Sequence, residues 1–451
     1  MTLNKVDYVK IFLFVLIILS YFLGFSLREN SAGGAEGDFI NHTWPAIQAI
    51  KEDFFFGIKN YGIFFEASWP MFHILNAFFN PFTESQLSFQ FSITLISTLN
   101  FFIFESIIRK KFELKKIDSF LFASIILLLP CFRSSAFWGI TENFGWLFLL
   151  LAIKFYLKIE HINYKRILNY QMLFPIFCVC LFSSLALYTR QYMVFFPIFV
   201  LLDTLFVKKN IKIFFILVAI YLFFSIPGFM LIILWGGLYD VANFPINCCG
   251  GEPLLVVHNP NNVIRNLPFL FNFYAFYLVP FLLIEAKNFG LSKILSKYYK
   301  SFLFSLIIMI ILYFFNVFDY IKNLDYGGGA FLKIDFFFFK KKLIFFIIMT
   351  SIGFSLLYEI IKQNYKFNLI LFFSLLIFCF PKWIFHEYYE PLILFVFFLL
   401  YNHNINYIFD KKYNFSFLVI IFYYAGYLLG AIYFKHYLFP DHASWQMFIQ
   451  N

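Results

Sequence analysis

Apolar residues along this chain do not alternate with polar ones; they run unbroken over long stretches that short charged segments separate. A helix needs about 17–25 apolar residues to cross the hydrocarbon of a bilayer, and only helices or closed barrels satisfy their own backbone there. Barrel strands would alternate, so the pattern predicts helices. Thirteen spans are expected, near 8–27, 87–108, 118–132, 142–158, 170–188, 192–207, 213–235, 265–284, 301–318, 343–360, 367–381, 391–402 and 415–434. The expected fold is an all-α polytopic membrane protein, one membrane domain over 1–451, with longer outer loops at 28–84, 236–264 and 319–342.

Inside the first loop the pattern changes. Between His42 and Lys59, Trp44, Ile47 and Ile50 recur at helical spacing, with Phe54 and Ile58 on or beside that face. This predicts a helix lying in the membrane interface. Pro70 then opens a second short helix that includes His73. Ahead of both, Gly33-Gly34-Ala35-Glu36-Gly37-Asp38-Phe39 reads as a flexible glycine-rich turn placing two carboxylates beside the bilayer.

Composition agrees with the pattern: 62% of residues are hydrophobic, 13% are charged and mean hydropathy is +0.78, beyond what a soluble core absorbs. The 75 phenylalanines, many in runs, reflect base composition of the gene as much as chemistry and carry no functional weight. With the amino terminus cytoplasmic, Arg109-Lys110-Lys111, Lys208-Lys209, the 287–300 loop and Lys411-Lys412 all fall inside. The net charge of +10 is then a cytoplasmic skirt and calls for no nucleic acid. Lys340-Lys341-Lys342 is the exception, falling outside: either a span is miscounted there or the lysines meet an anion. The 8–27 run reads as a retained anchor, not a cleaved signal. Six cysteines, Cys248 and Cys249 adjacent among them, show no metal spacing and read as ordinary apolar residues. No metal or other cofactor is expected.

Candidate chemistry then concentrates in the outer loops. Glu142, after Thr141, opens the fourth span, where an acid at a helix amino terminus is favoured without any catalytic duty. Arg190-Gln191 sits in a tight outer turn; arginine there snorkels or binds a phosphate bidentately. Trp69 and His73 line the short helices that would hold a lipid-linked substrate. His386 and Glu387, in the turn before span twelve, are placed to orient a sugar or pyrophosphate, against the simpler reading of an exposed polar turn. The loops with Asp240, Glu252, His258, Asp319, Asp325 and Asp335 read as connectors.

In this order the features resemble the GT-C superfamily of polytopic glycosyltransferases, in its protein-mannosyltransferase-like or alpha-1,2-glucosyltransferase-like branches. Gly37-Asp38 is similar to the acid of that family's first outer loop, Trp69-Pro70-Met71-Phe72-His73 to its His-Pro-Pro-Leu-like segment, and Thr141-Glu142 to its second acid. Arg190-Gln191 and His386-Glu387 resemble motifs of its dolichyl-phosphate-glucose-dependent branches. A true His-Pro-Pro and the full Arg-Gln-Thr-Asn string are absent. The resemblance implies transfer of a sugar, with inversion, from a polyprenyl-phosphate donor to an acceptor hydroxyl of a glycan, lipid or protein on the outer face. It implies Asp38 as general base, Glu142 as a second catalytic acid that positions the acceptor or Arg190, and Arg190 on the phosphate, with Lys382 or Lys340–Lys342 as further cations. Glu36 would be a lesser substrate-binding residue.

Two other classes compete. An O-antigen-type polymerase or ligase would keep a large arginine-rich later outer loop, and a lipid-linked glycan transporter would bury ionisable residues at mid-span; this chain is poor in both. A membrane acyltransferase would need a partnered histidine, and neither His73 nor His386 shows a partner in the sequence. The Asn41-His42-Thr43 sequon beside Asp38 favours a bacterial inner membrane over the endoplasmic reticulum, where glycosylation would obstruct the site.

Overall fold

The computed structural model describes residues 5–32, 34–64, 66, 68–160, 170–238, 240, 260, 262–318, 321, 329–340, 342–381, 384–404, 408–409 and 416–439. It is all-helical, 85% helix, with no strand among the described residues. Seven of the described helices are long and apolar enough to cross a membrane: Val6–Ser26, Gln86–Lys111, Ile211–Trp235, Asn262–Phe289, Leu291–Phe314, Ile344–Gln363 and Ser416–Leu438. That is compatible with a multi-pass membrane protein.

Several of the other expected spans take shorter or broken forms. The 118–132 run is a helix bent by 73° from the next, Pro130–Trp138. Proline disfavours helical backbone at the residue before it, and Leu129 is extended (ψ 123°), while Pro130 opens the following helix, where its missing N–H costs nothing. Leu173–Thr189, Gln191–Val207 and Tyr365–Cys379 are apolar but shorter.

The chain divides into two compact units, Leu16–Lys111 with Phe132–Pro253, and Met1–Val15 with Phe112–Cys131 and Leu254–Asn451. The first contains the loop with Asp38. The expected flexible turn there is helical instead: Ala35–Asp38 is an α-turn that runs through a π-turn, Phe39–Thr43, into Trp44–Glu52. Phe39 explains the difference. Its ring is fully buried and stacked on Phe89, centroids 5.9 Å apart, and such packing outweighs the glycines' weak helix propensity.

The amphipathic face of 42–59 also departs from expectation. Ile47, Ile50 and Ile58 are buried inside the unit, whereas Phe54, Phe55 and Phe56 are exposed. Asp53 makes this possible by ending one helix in extended conformation and capping the next, its Oδ1 accepting from the Phe56 N–H at 3.0 Å. The two helices then fold back closely: a Cβ on Gly57 would stand 2.9 Å from the Ile50 backbone. Trp235 Nε1 donates to the Ile58 carbonyl (2.8 Å), Trp69 Nε1 to the Leu238 carbonyl (2.8 Å), and Asp240 accepts from the Gly62 N–H (2.9 Å), so the first loop is fastened to the chain that follows Ile211–Trp235. Asp240, expected as part of a connector, is thus a fastening residue.

In the second unit, Asn262–Phe289 packs on Ile344–Gln363 so closely that a Cβ on Gly353 would overlap the Phe271 carbonyl. Asp335 accepts from the Leu343 and Phe346 N–H groups, each at 2.9 Å, capping the start of Ile344–Gln363. That cap is a structural duty, and Asp335 itself stands in a helix, Gly329–Phe339, in place of the expected connecting loop.

Candidate functional site

The polar residues of the first unit gather around Arg190. The Tyr170–Thr189 helix ends at this residue, which is extended (φ −145°, ψ 116°), and a 3-10 turn, Gln191–Val194, follows. The break turns the arginine toward the start of Glu142–Glu160, where it forms an ion pair with Glu142 in the first helical turn. Gly145 lies against the arginine stem, where a Cβ would make only ordinary contact with Arg190 and would press on the Met193 methyl at 3.2 Å. Glu142 is buried, with Ser135 Oγ 3.4 Å from its Oε2. The acid therefore faces both a helix dipole and a guanidinium. Gln191 lies half-buried beside it.

Arg190 also acts electrostatically on Asp38 and Glu66. Glu66 was not singled out in the sequence. Its Oε1 accepts from Thr43 Oγ1 at 2.8 Å and lies 3.2 Å from His73 Nε2, and its Oε2 accepts from Ser68 Oγ at 3.0 Å. His73 is fully buried and its Nδ1 lies 2.7 Å from the Tyr61 hydroxyl. The histidine thus has the carboxylate partner that the sequence did not reveal. Burial pushes the Glu66 carboxyl up, but its electrostatic and hydrogen-bond interactions with His73, with Arg190 and Thr43, together outweigh it and hold it at about 2. Glu66 is a carboxylate at any physiological pH.

Asp38 differs from both acids. It is exposed, and among the described residues none donates a hydrogen bond to its carboxylate. One side is open to solvent while protein encloses the rest, and this desolvation pushes its pKa above the ordinary aspartate range; Glu66 pushes the same way, against His42 and Arg190. The result is an ionisable oxygen that is more basic than usual and accessible. Glu36 is exposed one helical step away. Trp69 is buried, stacked on Tyr188 with centroids 5.1 Å apart over a glycine, Gly228, whose Cβ would strike the indole at 2.7 Å. Trp69 and His73 are therefore walls of this unit.

His386 and Glu387 belong to the second unit. The His386 ring packs against Phe273, Phe276, Tyr277 and Tyr427, at 4.9–5.7 Å between centroids. Burial, with Lys333 adding to it, drives its pKa down to about 3, so it is neutral. Glu387 is half-buried, but Glu390, one turn on and unremarked in the sequence, is the buried acid. It accepts from the Cys131 N–H (2.6 Å), the Tyr277 hydroxyl (2.7 Å) and the Tyr427 hydroxyl (2.9 Å), with His386 Nε2 4.0 Å away. Lys341, Lys382, Cys248, Cys249, Glu252, His258, Asp319 and Asp325 lie outside the described residues.

No protein-family model, curated protein or solved structure matches this chain. Among the described residues no group of three or more His, Cys, Asp or Glu side chains is arranged to hold a metal ion.

Proposed function

We propose that this chain is a membrane glycosyltransferase of GT-C type, moving a sugar from a polyprenyl-phosphate donor to an acceptor hydroxyl on the non-cytoplasmic face, with inversion. Asp38 takes the hydroxyl proton as the acceptor oxygen bonds to the anomeric carbon. The bond from that carbon to the phosphate oxygen breaks with its electrons, and the lipid phosphate leaves as an anion. Arg190 meets that anion, which requires it to share or exchange its bond to Glu142. The observation that carries the reading is the contrast within one cluster: unlike Glu66 and Glu142, Asp38 is open and without a hydrogen-bond donor among the described residues, within electrostatic reach of an arginine tethered by a second acid. An accessible carboxylate of raised pKa is suited to late proton transfer from a hydroxyl already acidified by bond formation. The site sits in a bacterial inner membrane on this reading, serving cell-envelope polysaccharide or a related acceptor.

The test is transfer of labelled sugar from polyprenyl-phosphate donors in membranes containing the parent or Asp38→Asn protein, read with mass spectrometry of surface glycans with and without the gene. Loss of one hexose in both the gene deletion and Asp38→Asn is expected. Full transfer by Asp38→Asn sinks the reading; shortened polymers or accumulated unflipped precursor would point instead to a polymerase or a transporter.

A further inference from the structure

The helical segment with Asp38 is fastened to the chain opposite at two points. His42 Nδ1 lies 3.0 Å from the Phe64 carbonyl oxygen, and Thr43 Oγ1 donates to Glu66 Oε1 at 2.8 Å. Glu66 is held from behind by Ser68 and by buried His73, itself hydrogen-bonded to Tyr61. Three side chains, Thr43, Ser68 and His73, thus converge on a carboxylate that the proposed chemistry does not use. Its charge is not idle: the titratable and charged groups facing Asp38 are His42 on its own segment, Glu66 and Arg190, with Glu142 engaged by that arginine. Of the groups that act on Asp38 directly, only Glu66 is negative, and a like charge makes a carboxylate hold its proton more tightly.

We infer that Glu66 is a positioning residue for Asp38: held by Ser68 and His73, it fixes through Thr43 the segment on which Asp38 stands. The electrostatic half of the inference is that the same carboxylate sets a like charge in the field of Asp38. The inference rests on the reading of Asp38 as the transferase base, but its first test does not. Carbodiimides modify protonated carboxyls, so the pH midpoint of Asp38 modification, followed by tandem mass spectrometry, reports its titration without any transfer assay. In Glu66→Gln, which keeps an acceptor oxygen and removes the charge, that midpoint is expected to fall. In Glu66→Asp it should stay near the parent value. A Glu66→Gln midpoint within about 0.2 unit of the parent overturns the electrostatic half.

Thr43→Val is nearly isosteric and keeps the charge. It tests the fastening separately, and serves if Glu66→Gln fails to fold: deuterium uptake over residues 35–43 should become several-fold faster, and unchanged uptake overturns the positioning half. In the transfer assay the acid limb of kcat/KM should move with the carbodiimide midpoint, with donor KM little changed; a lowered rate with an unmoved limb marks a merely structural role. A parent protein that transfers no sugar removes the proposed function, while the midpoint and uptake still decide this inference.

Discussion

Each unit of this protein sets a histidine near a glutamate, and the two pairs end in different states. In the second unit Glu390 is 1% exposed and three donors take up its oxygens, two tyrosine hydroxyls and a backbone N–H; His386 stands off at 4.0 Å inside an aromatic cage. Nothing in that arrangement is left open to a substrate. In the first unit Glu66 is equally well supplied with donors, yet its neighbour Asp38 is exposed and has no donor among the described residues. A satisfied buried carboxylate rigidifies a fold. An unsatisfied, partly desolvated one beside an arginine is available for proton transfer. The same residue types are thus fully hydrogen-bonded in one unit and, at Asp38, left open in the other, and the proposed chemistry rests on that difference.

That comparison can be broken most directly by exchanging charge for amide at the open acid. Asp38→Asn should lower sugar transfer by roughly 10²–10⁴-fold, the usual worth of a general base, with thermal stability unchanged. Transfer near the parental level would erase the distinction between the units. The next largest effect is on stability. Arg133 is buried and its Nε and Nη2 reach Glu29 at 2.6–3.1 Å, with Nη2 also donating to the Ser20 carbonyl. Arg133→Met strands the buried Glu29 and should cost about 3–5 kcal/mol, seen as a large drop in melting temperature in detergent; Glu29→Gln added to it should recover much of the loss.

Glu390→Gln sharpens the other side of the comparison. Losing charge-assisted bonds from Tyr277, Tyr427 and Cys131 should destabilise by about 1.5–3 kcal/mol, while transfer per folded molecule stays at the parental level. A fall in turnover with stability intact would make Glu390 part of the chemistry. The smallest effect is that of pH on His386. Its folded pKa, about 3, lies below the ordinary 6.5, so between these values the unfolded chain binds a proton that the folded chain refuses. Stability contributed by the neutral ring is complete above 6.5 and declines as pH falls toward 3. His386→Phe should flatten that part of the melting-temperature profile, and an unaltered slope would show the ring charged in the fold.

Much of the first unit's site was legible in the sequence one residue at a time. Asp38, Glu142 and Arg190 stood out because charged side chains beside long apolar runs are few. What escaped notice was partnership. Glu66 looked like one polar residue in an aromatic stretch, and His73 looked unpartnered, because a hydrogen bond between positions 66 and 73 depends on how the chain turns at Ser68 and Pro70. Arg133 and Glu29 are 104 positions apart, and only packing pairs them. In the 386–390 turn the motif drew attention to Glu387, whereas the backbone turned the other glutamate inward.

Run length and polarity alone determined that this chain is helical and suited to a bilayer, since in hydrocarbon no other continuous apolar backbone satisfies its hydrogen bonds. They also determined which charged residues are exceptional. Tertiary structure decided the rest: that Ala35–Asp38 is helical because Phe39 is buried on Phe89, that the face of Ile47 and Ile50 meets protein, and that Glu66 is satisfied while Asp38 is not. Those outcomes depend on which groups distant in sequence come within a few ångströms, and local pattern carries no record of that.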